Sequence, residues 1–310
     1  MFANDRAVVS RRHFLSRSGG FAAATLCCGR DGLGGAAQSI RFGCAAITWD
    51  GEDQRAIRDI ADVGYTGIQL RQPAVDEWGK RPGELRDLLA EHRLTFVALS
   101  SGDVSVEPAR ADEERALHVA HARFLRECGG LFLQVLDERP KGRAIVTEDY
   151  LRLAQVLTDI GRRTAELGVT LVYHNHMGGL GERPEDLARI LEAADPKYVK
   201  LLLDTAHYRQ GGGEPARAVE AHADRLQLLH IKDVVSPVPD DPAEAYRFVE
   251  LGRGKVDLRG VFAALDRTGF RGWAVVELDP LRRPERTPRE SAMLSRRYLE
   301  EELGFKVGHR

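Results

Sequence analysis

The chain has 310 residues, of which 43% are hydrophobic and 30% are charged. This composition is typical of a soluble globular protein with a large core and argues against a disordered chain. The 45 Lys and Arg residues nearly balance the 47 Asp and Glu residues, so we expect no basic face of the kind that a nucleic-acid-binding protein needs.

The N-terminal segment has the features of an export signal. Its paired arginines stand in Ser10-Arg11-Arg12-His13-Phe14-Leu15, ahead of a weakly apolar run over 21–28 and of small residues at Gly35-Ala36-Ala37. The segment resembles a twin-arginine signal peptide, and its apolar run is shorter than the roughly 20 residues that span a bilayer. We predict a signal peptide and linker over 1–38, no membrane span, and a periplasmic or extracellular protein. The alternative is a disordered basic tail.

Cysteine usage gives no sign of metal or redox chemistry. Cys27 and Cys28 lie in the predicted signal, and Cys44 and Cys128 lack the spacing of a metal or redox motif. We therefore expect Cys44 and Cys128 to be small, buried apolar side chains.

After residue 39, short apolar runs alternate with longer amphipathic stretches. The runs have the compact character of strands covered on both faces, and the stretches have helical spacing. Strands are predicted over 41–48, 66–70, 95–100, 131–136, 169–176, 199–204, 226–231 and 273–278. Helices are predicted near 53–63, 82–92, 111–127, 148–167, 184–194, 215–223, 257–268 and 289–303.

Eight βα repeats fit either a closed barrel or an open doubly wound sheet. The open sheet needs a glycine-rich phosphate turn after its first strand, and Thr48-Trp49-Asp50-Gly51-Glu52 does not provide one. Gly64, Gly168 and Gly269 stand where predicted helices end, as left-handed caps do. We therefore predict an α/β fold, a single-domain (β/α)8 TIM barrel over 39–310.

The chemistry of such a barrel lies at the carboxyl ends of its strands. Imidazoles and carboxylates end the last four predicted strands, and such groups suit a divalent cation, with Mn²⁺ favoured and Mg²⁺, Co²⁺, Fe²⁺ or Zn²⁺ as alternatives. The other interpretation is that each residue is separately structural, as a cap, a backbone-bonded imidazole or an ion-paired carboxylate. The four ends are Tyr173-His174-Asn175-His176, Leu203-Asp204-Thr205-Ala206-His207, Leu229-His230-Ile231-Lys232-Asp233 and Val276-Glu277-Leu278-Asp279.

Two amides and one loop are candidates for substrate contacts. Gln69 ends the second predicted strand and Gln134 lies in the fourth, so either amide could bond a substrate hydroxyl or the adjacent backbone. Gly252-Arg253-Gly254-Lys255 has the composition of a flexible basic loop that closes on a substrate, and equally of a simple turn.

Lys232 is a candidate for proton transfer. It follows His230 by two residues and should therefore point to the same side of the seventh predicted strand. A cation nearby would depress its pKa, so that it could act as a base or an acid, or stabilise an enolate. The alternative is a salt bridge to Asp233 or Asp204.

These strand ends resemble motifs of a known superfamily. Asp204-Thr205-Ala206-His207, His230-Ile231-Lys232-Asp233 and Val275-Val276-Glu277 look like the late-strand motifs of xylose-isomerase-like TIM barrels. The likeness covers most of the chain after residue 39 and points in particular to inosose dehydratases and sugar phosphate isomerase/epimerases. It also rests on Ala46-Ile47-Thr48-Trp49, Tyr173-His174-Asn175-His176-Met177-Gly178 and Gly252-Arg253-Gly254-Lys255-Val256-Asp257.

The resemblance implies that Asp204, His230 and Glu277 bind the metal, with His174 where many members place a metal-binding glutamate. A histidine there removes a candidate base and argues against a mechanism with two opposed glutamates. The implied catalytic residues are Lys232, His207 and His176, and the implied substrate contacts are Trp49, Gln69, Gln134 and Arg253.

We therefore predict a metal-dependent enzyme that acts next to the carbonyl of an unphosphorylated keto-sugar or inosose. A dehydratase or hydratase is favoured, because the histidines of the fifth predicted strand resemble those of inosose dehydratases. The alternatives are a sugar epimerase or a ketose/aldose isomerase and, from another class, a non-catalytic exported sugar-binding barrel. The expected partner is a small molecule rather than nucleic acid, and a homo-oligomer is compatible with the sequence.

Overall fold

A computed structural model describes residues 40–239, 241, 244–280 and 285–308. The predicted signal peptide and linker over 1–38 therefore lie outside the described residues. No helix within the described ranges combines the length and the apolar character that crossing a bilayer requires.

Eight parallel strands close into a barrel, which confirms the predicted fold class. Neighbouring strands follow chain order, and the last strand pairs with the first, with Arg41 opposite Trp273. The barrel strands are β1 (Arg41–Ala45), β2 (Gly67–Arg71), β3 (Thr95–Val104), β4 (Phe132–Asp137), β5 (Thr170–His174), β6 (Val199–Asp204), β7 (Leu226–Ile231) and β10 (Trp273–Val276).

Helices surround the barrel, because each buries an apolar face against the strands, as α5 does with Leu153, Leu157 and Ile160. A short antiparallel hairpin that was not predicted, β8 (Asp233–Val235) and β9 (Arg247–Val249), follows β7. The helices are α1 (Asp53–Val63), α2 (Pro73–Trp78), α3 (Pro82–Glu91), α4 (Ala111–Glu127), α5 (Thr147–Glu166), α6 (Pro184–Ala193), α7 (Thr205–Gln210), α8 (Pro215–Ala221), α9 (Leu258–Arg267) and α10 (Pro288–Arg297).

The predicted helix ends and cysteine environments are confirmed. Gly64, Gly168 and Gly269 have φ angles of 96°, 73° and 67°, the left-handed conformation that favours glycine. Cys44 and Cys128 are both free and buried.

Three predicted strands were too long at their carboxyl ends. They end at Ala45, His174 and Val276 rather than at Thr48, His176 and Leu278. At β5 the physical reason is a side chain: Oδ1 of Asn175 accepts the backbone N–H of Asp204 at 3.0 Å. The side-chain bond thus replaces the next ladder bond, and the chain leaves the sheet.

An apolar cluster fills the interior of the barrel below its carboxyl-terminal end, here called the mouth. Packing inside is close: a Cβ added at Gly67 would lie 2.5 Å from both Trp273 and Val97. The interior cluster consists of Ala45, Val97, Ala98, Phe132, Val172, Leu202, Leu228, Trp273 and Val275.

Candidate metal centre

Four polar side chains project into the mouth from the last barrel strands. Inward-facing positions alternate along a strand, and each of the four lies two residues beyond a member of the interior cluster, as His174 does beyond Val172. They are His174 on β5, Asp204 on β6, His230 on β7 and Glu277 directly after β10.

The ligand-type atoms of this four-residue cluster lie within 4.8 Å of one another, and all four residues are buried. Nδ1 of His230 is 3.5 Å from Oδ2 of Asp204 and 3.4 Å from Oε2 of Glu277. The ring centroids of His174 and His230 are 4.8 Å apart. Donors that bind one divalent cation at about 2.0–2.2 Å have comparable separations from each other, of about 3–4 Å.

Three buried atoms of the cluster have no hydrogen-bond partner among the residues that the structure describes: Nδ1 of His174, Oδ2 of Asp204 and Nδ1 of His230. Each unpaired buried polar atom costs about 1–3 kcal/mol, so a common partner would stabilise all of them. Two imidazoles and two carboxylates form a donor set that divalent cations accept. The cluster therefore fits a divalent metal ion.

Gln69 orients His230 for such a role. Its Oε1 accepts a hydrogen bond from Nε2 of His230 at 2.9 Å, and its Nε2 lies 3.5 Å from Oε2 of Glu277. With the proton held on Nε2, the lone pair of Nδ1 faces the other ligand-type atoms. Gln69, predicted as a substrate contact, therefore has partners within the cluster itself.

Asp204 serves two parts of the structure at once. It ends β6 and is also the N-cap of α7, where its Oδ1 accepts the backbone N–H groups of Ala206 and His207 at 2.8 Å each. Because Oδ1 is engaged by the helix, Oδ2 is the oxygen available to the cluster.

Lys232 is fully buried beside the cluster. Its Nζ donates to Oε1 of Glu277 at 3.0 Å and to Oδ1 of Asp279 at 2.7 Å, and lies 3.3 Å from Nε2 of His207. Burial alone would lower the pKa of Lys232, but Glu277, Asp279 and Asp204 outweigh it and raise the pKa above its usual value. The charges of the protein thus act against the predicted depression, and the ion pair is with Glu277 and Asp279 instead of Asp233 or Asp204.

The rings of His207 and His176 pack against each other next to Lys232, with centroids 3.9 Å apart and their planes tilted by 36°. Nδ1 of His176 is 2.7 Å from the carbonyl oxygen of Met177. In the neutral tautomer that carries its proton on Nδ1, this atom donates to the carbonyl and Nε2 keeps its lone pair. Burial and, next, the charge of Lys232 hold the pKa of His207 well below its usual value. Nδ1 of His207 accepts the backbone N–H of Met177 at 3.2 Å, and its Nε2 faces Lys232.

The glycine-rich loop over 252–255 is held in place by a buried carboxylate. Oδ2 of Asp233 accepts the N–H groups of Gly252 at 3.0 Å and Gly254 at 2.8 Å. A Cβ on Gly254 would lie 2.1 Å from Oδ1 of Asp233, so only glycine fits there. The loop predicted to be flexible is therefore anchored, and Arg253 on it is half-exposed and 3.9 Å from Glu250.

The two other predicted substrate contacts are both buried. The indole N–H of Trp49 donates to Oδ2 of Asp59 on α1 at 2.8 Å, which turns it toward the helix layer. Gln134 lies two residues beyond Phe132 in the interior cluster and points into the mouth, where its Nε2 donates to Oγ of Ser100 at 3.2 Å.

Sequence reasoning missed two residues that contact Lys232, namely Asp279 and Phe248. Asp279 follows Glu277 by two residues, and the same alternation that placed Lys232 beside His230 could have placed it. Phe248 lies on the β8–β9 hairpin, whose three-residue strands give no periodic signal in the sequence.

A closed eight-stranded barrel with a buried cluster of metal-ligand type at its mouth defines a TIM-barrel protein with a candidate metal centre. The family model described as a xylose isomerase-like TIM barrel matches residues 57–298. The chain belongs to this family.

Similar proteins include one relative in sequence and two solved structures. The inosose dehydratase of Geobacillus thermodenitrificans is 28% identical over 302 residues, which cover 86% of this chain and 98% of that protein. The solved structure of the IolI protein, with a bound zinc atom, has a TM-score of 0.71 at 18% identity and covers 85% of this chain and 98% of its own. The structure of an L-ribulose 3-epimerase has a TM-score of 0.69 at 19% identity and covers 85% of this chain and 94% of its own. At these identities the two structures show the fold.

Proposed function

We propose that the protein is a metal-dependent enzyme that acts next to the carbonyl of an unphosphorylated keto-sugar or inosose, as a dehydratase or hydratase. The observation that carries the proposal is the four-residue cluster, whose unpaired atoms converge in the mouth beside the buried Lys232. The likeness to an inosose dehydratase supports this substrate class. The twin-arginine-like segment supports a periplasmic or extracellular enzyme, and sugar phosphates are mainly cytoplasmic.

A divalent cation held by the cluster would polarise the substrate carbonyl and stabilise the negative charge that develops on its oxygen, a contribution of several kcal/mol. The residues of the chain supply a second positive charge and the proton transfer. The ammonium group of Lys232 is held by Oε1 of Glu277 and Oδ1 of Asp279, so it is positioned to stabilise negative charge on the substrate.

His176 is the group able to take the proton next to the carbonyl, and His207 lies beside it. Nε2 of His176 keeps a lone pair when Nδ1 donates to the carbonyl of Met177. His207 accepts the backbone N–H of Met177 and faces Lys232. A positioned imidazole contributes about 10²- to 10⁴-fold to such a step. If the imidazolium returns the proton to a β-hydroxyl, the C–O bond breaks, water leaves and the substrate is dehydrated. Return of the proton to carbon gives epimerisation instead.

The test is metal-dependent chemistry on a neutral keto-polyol. Protein stripped with a chelator and reloaded with Mn²⁺ or Zn²⁺ is incubated in D₂O with 2-keto-inositol or 3-keto-glucose. Loss of one water is followed by mass spectrometry and deuterium uptake by NMR. We expect water loss that requires metal and disappears in His230→Gln, while His92→Gln, on the outer helix layer, behaves as wild type. Deuterium uptake without water loss would indicate an epimerase, and binding without either would indicate a sugar-binding barrel.

A further inference from the structure

Three polar residues lie side by side at the mouth on the neighbouring strands β2, β3 and β4. Arg71 on β2 is in register with Ser100 on β3, and Ser100 is in register with Gln134 on β4. Residues in register on parallel neighbours project to the same side of the sheet. We call Arg71, Ser100 and Gln134 the β2–β4 row.

The side of the sheet to which the row projects is the inside of the barrel. Ser100 lies two residues beyond Ala98 and Gln134 two beyond Phe132, and both of these belong to the interior cluster. Arg71 lies two residues beyond Gln69, whose amide contacts His230. Two residues along a strand correspond to about 6.6 Å, so Arg71 lies beyond Gln69 by a separation that a sugar-sized ligand can span.

Two members of the row have unused hydrogen-bonding capacity. Oε1 of Gln134 is buried without a hydrogen-bond partner, and the residue as a whole is 3% exposed. Oγ of Ser100 accepts a hydrogen bond from Nε2 of Gln134, so the hydroxyl hydrogen of Ser100 is free to donate. An amide flip would exchange the roles of the two Gln134 atoms but would still leave one unpaired. This pair therefore suits a hydroxyl group, which both donates and accepts.

Arg71, at the carboxyl end of β2, differs from three arginines of the neighbouring βα loops. It is exposed, and it has no carboxylate within ion-pair distance among the described residues, although its charge does influence the pKa of Asp53. By contrast, the loop arginines Arg110, Arg139 and Arg143 pair with Glu138, Glu182 and Asp149, respectively. Within the described ranges, Arg71 is thus an exposed cation at the carboxyl end of β2 with no carboxylate partner.

We propose that the β2–β4 row binds the end of the substrate remote from the carbonyl, and that this end carries a carboxylate. The substrate class is then an acidic keto-sugar. Ser100 and Gln134 bind a hydroxyl of the ring, and Arg71 binds the carboxylate through two parallel N–H groups, the geometry in which arginine binds carboxylates most tightly. This inference rests on the proposed function, because the four-residue cluster must hold the other end.

The kinetic test compares three substrates that differ only at the remote carbon: 3-keto-glucose, 3-keto-glucuronate and 3-keto-glucose 6-phosphate. A charge-assisted pair strengthens binding more than a neutral hydrogen bond, so we expect kcat/KM for the carboxylate to exceed that for the neutral sugar by about 10- to 100-fold. The substitution Arg71→Gln should lower kcat/KM for the carboxylate substrate more than kcat/KM for the neutral sugar, by that factor. Arg71→Lys should restore part of the lost kcat/KM. Arg81→Gln, an exposed arginine before α3, is the matched control and should resemble wild type.

A binding measurement keeps the inference testable if no substrate is turned over. Calorimetry of the metal-loaded protein with glucuronate and with glucose should show tighter binding of glucuronate that Arg71→Gln abolishes, whereas Gln134→Leu should weaken both ligands. If the two ligands bind with equal affinity, or if Arg71→Gln weakens the binding of both equally, the carboxylate assignment is overturned and the proposed function is unaffected. A preference for the phosphate ester would overturn it as well. Absence of turnover together with selective glucuronate binding would instead refute the proposed function and leave the row as a carboxylate site.

Discussion

The ring of Phe248 covers the ammonium group of Lys232, with Nζ 4.0 Å from the ring centroid. The same ring lies 4.9 Å from the ring of His207, so one side chain contacts both groups. Phe248 is only 7% exposed. The β8–β9 hairpin therefore excludes water from a buried cation and fixes its position relative to the neighbouring imidazole.

We expect Phe248→Leu to lower kcat by about 5- to 30-fold, because a desolvated cation–π contact is worth about 1–2 kcal/mol. KM should change little, since Phe248 contacts Lys232 and His207 rather than the β2–β4 row. Phe248→Tyr keeps the aromatic face and should restore kcat. Steady-state kinetics on the keto-sugar that is turned over give both constants.

The matched control for that prediction is Phe305→Leu. Phe305 is 4% exposed and packs against Phe42 with centroids 5.2 Å apart, in the apolar layer outside the barrel. The two substitutions remove the same atoms from buried sites. An equal fall in kcat for both would show that Phe248 acts only through general stability.

Gln69→Leu should weaken metal binding. The substitution removes the acceptor of the Nε2 proton of His230, so that neither the tautomer nor the orientation of the ring is held. Loss of a partner that orients a ligand in this way costs about 10- to 100-fold in metal affinity. Competition with a chromogenic chelator measures the affinity, and Gln54→Leu on the exposed face of α1 should leave it at the wild-type value.

Asp233→Asn should destabilise the fold. The carboxylate accepts four backbone N–H groups, those of Val234, Gly252, Gly254 and Val256. An amide would direct its own N–H hydrogens at some of these donors, so we expect the free energy of unfolding to fall by about 2–4 kcal/mol. Urea denaturation measures it. In Asp257→Asn the asparagine can still cap α9, and a comparable loss there would contradict the explanation.

Acid should destabilise the protein through a buried pair of imidazoles on α4. Oγ of Ser101 lies 2.6 Å from Nδ1 of His118 and 2.8 Å from Nδ1 of His121. Burial, and next the charge of His121, lowers the pKa of His118 from 6.5 to about 4. Between these values the unfolded chain binds more protons than the folded one, so stability is full above pH 6.5 and declines as the pH falls toward 4.

The contribution of His118 can be isolated by substitution. Between about pH 7 and about pH 5, wild type should lose roughly 1–2 kcal/mol more free energy of unfolding than His118→Gln, which has no imidazole to protonate. Urea denaturation at the two pH values provides the comparison. His92→Gln should lose as much as wild type, and an identical pH dependence in all three proteins would show that His118 does not titrate in this range.

The barrel and the identity of the four-residue cluster were accessible from sequence for physical reasons. Apolar runs that alternate with amphipathic helices leave few topologies, and His174, Asp204, His230 and Glu277 each interrupt or end such a run. Alternation along a strand then places Lys232 next to His230. Local pattern was sufficient for the barrel and for Lys232, whereas the choice of these four among the polar strand-end residues came from the resemblance to xylose-isomerase-like barrels.

The features that could not be predicted from the sequence depend on contacts between residues that are far apart in the chain. The end of β5 is set by a bond from Asn175 to the backbone of β6, and the direction of the pKa shift of Lys232 is set by Glu277 and Asp279. The rigidity of the 252–255 loop follows from Asp233. In each case the interacting residues are far apart in the sequence, so no local pattern predicts the contact.

Asp204 has a consequence for how the choice of metal would influence the reaction. Its Oδ2 faces the cluster while its Oδ1 holds the first turn of α7, which carries His207. A cation that draws the carboxylate toward itself therefore also moves the imidazole. An ion of unsuitable radius could bind tightly and still misalign that ring, so different metals should be distinguished by catalytic rate more sharply than by affinity.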